Sequence, residues 1–261
     1  MIEHDYPILE FDEISLPVVT ANKYLPPFVE MKSDRCVITY FSDVVDKFER
    51  VFKMNQEFKI RTEGVRPRVF LMQYGPFKKP VYVIPMSVGA PEAARMLEAM
   101  VALGVKKFMV CGGAGALKDQ EKKYKNKVLI ATNAVRDEGT SYHYLPASRV
   151  ISIDTRVLEV IKRVLTRESE PFEEVKTWTT DAIFRETADK VKARYDEGCN
   201  VVEMECSCYY SVAKYKKVSL GQLLYAGDSV NTDKWDYGAW HDEYEKREKL
   251  FEIATKCLLE L

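Results

Sequence analysis

The chain has 261 residues, with 39 Lys and Arg against 40 Asp and Glu and a formal net charge of −1, so it carries no global basic field for nucleic acid or an acidic membrane. Its 46% hydrophobic and 30% charged residues exclude a disordered chain, which lacks the apolar surface to offset its ordering entropy. Apolar runs such as Val81 to Val88 fall far short of the roughly 20 residues of a membrane-spanning helix. The start Met1-Ile-Glu-His-Asp-Tyr6 has neither the basic region nor the apolar stretch of a leader, so a cytoplasmic protein is expected.

Residues 1 to 35 hold Pro7, Pro17, Pro26 and Pro27 without periodicity and read as an extended arm on the body. Cys36 to Phe41 is a short β-rich run, and Ser42-Asp43 can cap a helix with Val44, Val45, Phe48, Val51 and Phe52 on one face. Two strand-like runs follow, Val69 to Tyr74 and Pro80 to Val88, separated by the turn signal Gly75-Pro76. Pro91 and Gly104 punctuate a helix over 92–103, and the strand Lys107 to Cys111 runs into Gly112-Gly113-Ala114-Gly115, read as a loop. Strands over 128–132, 174–178, 201–204 and 222–226 then alternate with helices over 156–165, 188–197 and 206–215. A C-terminal amphipathic helix carries Leu250, Ile253, Ala254, Cys257, Leu258 and Leu261. The alternation means one α/β domain over 36–261, a central mixed twisted sheet flanked by helices. Six cysteines without a C-x-x-C pair read as buried thiols. His4, His143 and His241 make no local metal motif.

Ligands of open α/β sheets bind at the carboxyl ends of strands, here Ser87 to Pro91, Gly112 to Leu117 and Ala226 to Asn231. The glycine stretch permits close approach to backbone but has neither Walker nor dinucleotide spacing, and a tight turn explains it as well. Glu203-Met204-Glu205 ends a strand in two carboxylates, which suit either sugar hydroxyls or a strand-end salt bridge. Asp228, at the end of Leu223 to Gly227, is presented either as a general acid or as a turn cap. Thr179-Thr180-Asp181 reads as a capping cluster for the helix at 188. The stretch Arg136 to Tyr144 suits a ligand-facing loop or an interface.

Taken in order, these segments resemble the nucleoside phosphorylase family that includes uridine phosphorylase and the hexameric purine nucleoside phosphorylases. Ser87-Val-Gly-Ala-Pro-Glu-Ala-Ala94 is similar to its G-x-G-x-P-S-A segment, Phe108 to Leu117 to its strand and glycine loop, and Arg136 to Tyr144 to D-G-T-S-x-H-Y. Thr180-Asp181-Ala-Ile-Phe184 resembles S-D-x-F-Y, and Val202-Glu-Met-Glu205 resembles V-E-M-E. The resemblance implies cleavage of the bond between a ribosyl carbon and a base nitrogen through an oxocarbenium-like transition state, which needs a ribose clamp, help for the leaving base and a nucleophile. It implies that Glu205 holds the ribose hydroxyls beside Glu203, that Met204 packs on the sugar, and that Gly113, Ala114, Gly115, Ile183 and Phe184 border the substrate. Asp228 matches the acid that protonates a purine, which tilts the substrate towards purines.

The departures concern phosphate. The family's G-D-P-x-R loop is replaced here by Phe41-Ser42-Asp43-Val44-Val45, and an Arg and a Ser or Thr near the glycine stretch by Val110 and Gly113. Charge-assisted hydrogen bonds contribute roughly 1.5–3 kcal/mol each, so the dianion loses its anchors unless Arg68, lent across a dimer interface, or Arg136 replaces them. Without them water is the nucleophile, with Glu203 or Asp43 as base. The expectation is thus a pentosyltransferase of the nucleoside phosphorylase type with inorganic phosphate as co-substrate and no other cofactor or metal. A nucleosidase and a non-catalytic nucleoside-binding relative are the alternatives. The expected partners are a small-molecule nucleoside and copies of the chain, as a dimer or a trimer of dimers.

Overall fold

The computed structural model describes residues 4–51, 54–60, 62, 66–74, 79–118, 120–231, 235–238 and 243–261; His241 lies outside them. A Cys-Val-Ile-Thr run has no face to offer water and must be covered on both sides. It forms β1 (Arg35–Thr39), set between β4 (Lys79–Pro85) and β5 (Lys107–Leu117) and parallel to both, with Cys36 opposite Tyr82 and Phe108. Outside β4 lie β3 (Arg68–Tyr74) and the edge strand β2 (Asn55–Lys59), joined antiparallel. The β2 strand is absent from the sequence reading because only Phe58 of its five residues is buried, leaving no alternating apolar signal.

The strand expected to reach Val88 ends at Pro85. Beyond it the Met86 N–H donates to the Thr39 carbonyl at 2.8 Å, and the chain turns through Gly89, at φ 116°, into α2 (Ala90–Leu103). Gly104 closes α2 at φ 113°, a left-handed cap that glycine adopts without steric penalty. Helix α1 (Ser42–Val51) buries Val44, Val45 and Phe48, and Phe48 meets Phe251 edge-on at 5.0 Å from α7 (Tyr244–Glu260).

The glycine stretch is not a loop. Gly112 to Gly115 continue β5, which is 11 residues long. This outer half pairs with β10 (Ser219–Val230) on one edge and β9 (Val201–Glu203) on the other. Next to β9 runs β8 (Phe172–Thr180), then β6 (Val128–Asp137), which pairs with β10 at Leu223–Ile130 and Leu224–Leu129. The strands β5, β9, β8, β6 and β10 therefore close a ring. Closure needs a residue without a side chain at the seam: a Cβ on Gly115 would stand 2.9 Å from Val230 Cγ2 and 3.2 Å from Val202 Cγ1. The short strands β7 (Val150–Ser152) and β11 (Trp235–Asp236) extend β6 and β10.

Helices cover the outer faces. Asp154 caps α4 (Thr155–Arg167) by accepting from the Arg156 N–H at 2.8 Å, and α5 (Ala188–Asp196) and the buried α6 (Cys206–Lys216) flank β9. The one-turn α3 (Glu121–Tyr124) precedes β6. All six cysteines are buried free thiols. Residues 4 to 34 form two 3-10 turns, Pro7–Leu9 and Ala21–Tyr24, and the Lys32 N–H ties this stretch to the body by donating to the Tyr82 hydroxyl at 2.8 Å. Among the described residues no helix is long and apolar enough to cross a membrane.

The packing of α4 on β10 depends on Gly221, where an added Cβ would meet Ile161 Cδ1 at 2.7 Å, Val157 Cγ1 at 2.9 Å and Met109 Sδ at 3.0 Å. Gly221→Ala is expected to destabilise the protein by about 1–3 kcal/mol, read as a lower urea midpoint. An unchanged midpoint would mean that α4 moves off the sheet at no cost.

Candidate active site

The outer ends of β5, β9 and β10 enclose a cavity of about 610 Å³. Its wall begins at the end of β9. Glu203 is 7% exposed, and both its oxygens are engaged. Oε1 accepts from Thr179 Oγ1 at 2.6 Å and Thr177 Oγ1 at 3.2 Å. Oε2 accepts from the backbone N–H groups of Glu205 at 2.8 Å and Cys206 at 2.7 Å, and from Gln222 Nε2 at 3.4 Å. Burial raises its pKa and these donors oppose the rise. Glu203 lines the cavity, but both its oxygens are taken by donors from β8, β10 and the start of α6, so it is not free to serve as a water-activating base.

The β9 strand ends at Glu203, so Met204 and Glu205 lie beyond it, and strand alternation does not put Glu203 and Glu205 on one face. The Glu205 side chain turns towards α2 instead, where Oε1 accepts from the Gly89 N–H at 2.5 Å. This bond joins the Ser87-Val-Gly-Ala-Pro91 stretch to V-E-M-E. Burial, and then the neighbouring Glu203 carboxylate, push the Glu205 carboxyl up to about 8.

Asp228 sits at an irregularity in β10. Ala226 is opposite Ala114 and Asp228 opposite Gly115, so Gly227 is the extra residue of a bulge that re-aims the side chain. Its Oδ1 would lie 3.3 Å from a Cβ on Gly115, so the same glycine that closes the ring makes room for the acid. Oδ2 accepts from the indole N–H of Trp235 at 2.6 Å. Burial raises the Asp228 pKa against this hydrogen bond.

The cavity also brings in Gly113, Ala114, Gly115, Met204, Ile183 and Phe184. Phe184 is 94% exposed and Ile183 48%, so both stand at the mouth. Three further residues escape the sequence reading. Glu186, behind the Ile183–Arg185 turn, lines the cavity, and its carboxyl is raised to about 7 by burial and then by Asp228. Tyr40 follows β1 and shares a hydrogen bond of 2.9 Å with the buried Tyr209 hydroxyl. Its ring would stand 3.1 Å from a Cβ on Gly112. Gln222 lies on β10 inward of Leu224. A carboxylate in a helical turn, a tyrosine after a strand and an amide within one carry no motif.

Other sequence candidates lie elsewhere in the chain. Asp43 is ion-paired with Arg247 at 2.8 Å and does not line the cavity. Arg68 is paired with Asp46 at 3.1 Å and Glu49 at 3.2 Å, outside the cavity of its own chain. Arg136 is 4% exposed and holds the 141–148 segment through Ser141 Oγ at 2.9 Å, the Pro146 carbonyl at 2.8 Å and Ser148 Oγ at 2.7 Å. Asp181 does not cap α5; its Oδ2 accepts from the Gly139 N–H at 2.8 Å. His143 ends the 3-10 turn Thr140–His143 and lines a second cavity, beneath the N-terminal segment. Among the described residues lining the candidate site are four carboxylates, Glu186, Glu203, Glu205 and Asp228, and no lysine, arginine or histidine.

The ring-closed α/β sheet carries, at the ends of β9 and β10, the V-E-M-E segment and the acid on which the resemblance to the nucleoside phosphorylase family rests. The chain belongs to the phosphorylase superfamily, whose family model matches residues 34–260. A guanosine phosphorylase of Halorubrum lacusprofundi is 27% identical over 156 residues, 57% of this chain and 64% of that protein, so the match spans less than two thirds of that relative. The purine nucleoside phosphorylase of Toxoplasma gondii, solved with immucillin-H, superposes with a TM-score of 0.74 at 18% identity, covering 90% of this chain and 98% of that one. The AMP nucleosidase of Bacteroides thetaiotaomicron superposes with a TM-score of 0.68 at 18% identity, covering 92% and 96%. The fold thus serves phosphorylases and nucleosidases alike.

The raised Glu205 pKa has a thermodynamic consequence. The fold favours the neutral carboxyl, so the stabilisation tied to its proton is full below about 4.5 and is lost as pH rises through about 8. Glu205→Gln keeps an acceptor for Gly89 and removes the ionisation. Thermal melts are expected to show the variant equal to the parent near the lower value and increasingly more stable towards the upper one. A stability difference independent of pH would contradict the assignment.

Proposed function

We propose that this protein hydrolyses the N-glycosidic bond of a purine-type nucleoside, with water in the place phosphate takes in a phosphorylase. The observation that carries the reading is the composition of the cavity wall: among the described residues it holds four carboxyl groups and no lysine, arginine or histidine to pair with a dianion. Two like charges 4 Å apart repel by roughly 4 kcal/mol at an effective dielectric of 20. A phosphate dianion therefore enters against any of these groups that is ionised, with no basic side chain among the described lining residues to offset it. A neutral nucleophile has no such conflict, and carboxylates favour the positive charge that grows on the sugar.

In this reading Glu205, positioned by Gly89, accepts the ribose hydroxyls. Met204 packs on the sugar, and Ala114, Gly115, Ile183 and Phe184 border the base. Asp228, raised by burial, gives its proton to the base nitrogen as the bond breaks. That acid, together with the likeness to a guanosine phosphorylase, supports a purine. The exposed Phe184 and Ile183 at the mouth support a homo-oligomer in which a second copy covers this rim.

Asp228→Asn is expected to lower the rate of base release by about 10²–10⁴-fold, while equilibrium dialysis finds nucleoside binding within severalfold of the parent. The parent should release base at the same rate with and without inorganic phosphate. A rate that requires phosphate would overturn hydrolysis, and parental turnover in the Asp228→Asn variant would remove the acid's role.

A further inference from the structure

Among the described residues, Glu186 is the cavity carboxyl that no donor of the chain meets. Glu203 is fully engaged, Glu205 accepts from the Gly89 N–H and Asp228 from the Trp235 indole. No hydrogen bond or ion pair among the described residues reaches the Glu186 side chain, and burial and then the Asp228 carboxyl act on its ionisation, both raising its pKa. The backbone, by contrast, is pinned on both sides. The Glu186 N–H closes the Ile183–Arg185 turn by donating to the Ile183 carbonyl at 3.2 Å. Thr187 is the N-cap of α5, and its carbonyl accepts from the Val191 N–H at 2.9 Å. The side chain so held is half-buried and lines the cavity, where a carboxylate without a donor is costly.

The neighbours say which ligand group suits it. Asp228 is committed, with Oδ2 held by Trp235 and Oδ1 beside Gly115. Ile183, Phe184, Val230 and Trp235 offer apolar and aromatic surface, which covers the faces of a ring and does not tell one edge from another. Glu186 stands near enough to Asp228 for the two carboxyls to act on each other, so a base that takes its proton from Asp228 lies beside Glu186 as well. An ionised carboxylate accepts and does not donate. It pairs with N–H groups and is repelled by the lone pair of a bare ring nitrogen.

We infer that Glu186 selects the base, its carboxylate accepting from an N–H donor on the six-membered ring of the purine, either an exocyclic amino group or a ring N–H. This rests on the reading above that the cavity holds a purine nucleoside, and not on which nucleophile attacks it. Purine riboside, which carries neither donor, is the nucleoside such a site rejects, because it leaves the carboxylate unpaired.

The test measures kcat/KM for base release from adenosine, inosine, guanosine and purine riboside by the parent, Glu186→Ala and Glu186→Gln, with purine riboside also titrated as a competitor. In that order the four offer a 6-amino group, a ring N–H, a ring N–H with a 2-amino group, and no such donor. Glu186→Ala is expected to lose about 10–100-fold on the donor-bearing nucleoside that the parent uses best, and to stay within about threefold of the parent on purine riboside. The ratio of the two losses cancels the different reactivity of the bases, and the nucleoside that suffers most names the donor. Glu186→Gln keeps the shape and one acceptor oxygen, so it should fall between the parent and the Ala variant, and it carries the test should the Ala variant fail to fold. Equal losses on all four nucleosides, as a structural role would give, or no loss on any, would overturn the inference. A parent that requires phosphate yet shows the selective loss would sink hydrolysis and uphold Glu186 as the selector. A parent that releases base from none of the four would overturn the purine reading, and this inference with it.

Discussion

Glu203 is the joint on which the site depends. Its carboxylate takes two hydroxyls from β8, two backbone N–H groups at the start of α6 and the amide of Gln222 from β10. A carboxylate removed from water is tolerated only when donors surround it, and here those donors come from three elements that must meet for it to be satisfied. Once they meet, the turn after β9 is set, the Glu205 side chain faces Gly89, and the Gln222 oxygen is directed away from Glu203. The group expected to touch substrate is thus fully engaged within the fold, and orients its neighbours.

Electrostatics follow from that joint. Burial, and then the neighbouring Glu203 carboxylate, hold the Glu205 proton to about 8. At the other end of the cavity burial raises both Asp228 and Glu186, and Asp228 raises Glu186 further. Carboxyl groups whose pKa burial raises suit proton donation to a leaving base. Among the described lining residues no lysine, arginine or histidine stands ready to pair with a dianion.

Much of this was legible in the chain. Alternating strands and helices, Asp228 at a strand end and the paired glutamates were marked by periodicity and by polar groups where apolar ones end. What stayed hidden has physical reasons. Glycines at 112, 113 and 115 signal turns locally, but here they serve a sheet that must close on itself, a long-range demand with no local trace. The bulge at Gly227 re-aims Asp228 without altering composition. Asp181 reads as a cap by its neighbours, yet its partner is Gly139, 42 residues away. Glu186, Tyr40 and Gln222 gain their character only from the cavity around them.

The proposed hydrolytic site would differ from a phosphate-using one in whether an anion and a nucleoside help one another to bind. The most direct measurement is the affinity of the protein for a purine nucleoside, by calorimetry, at increasing inorganic phosphate and constant ionic strength. The account predicts an affinity that phosphate leaves unchanged. Nucleoside binding that tightens as phosphate rises would mean that the two share a built site, and would contradict it.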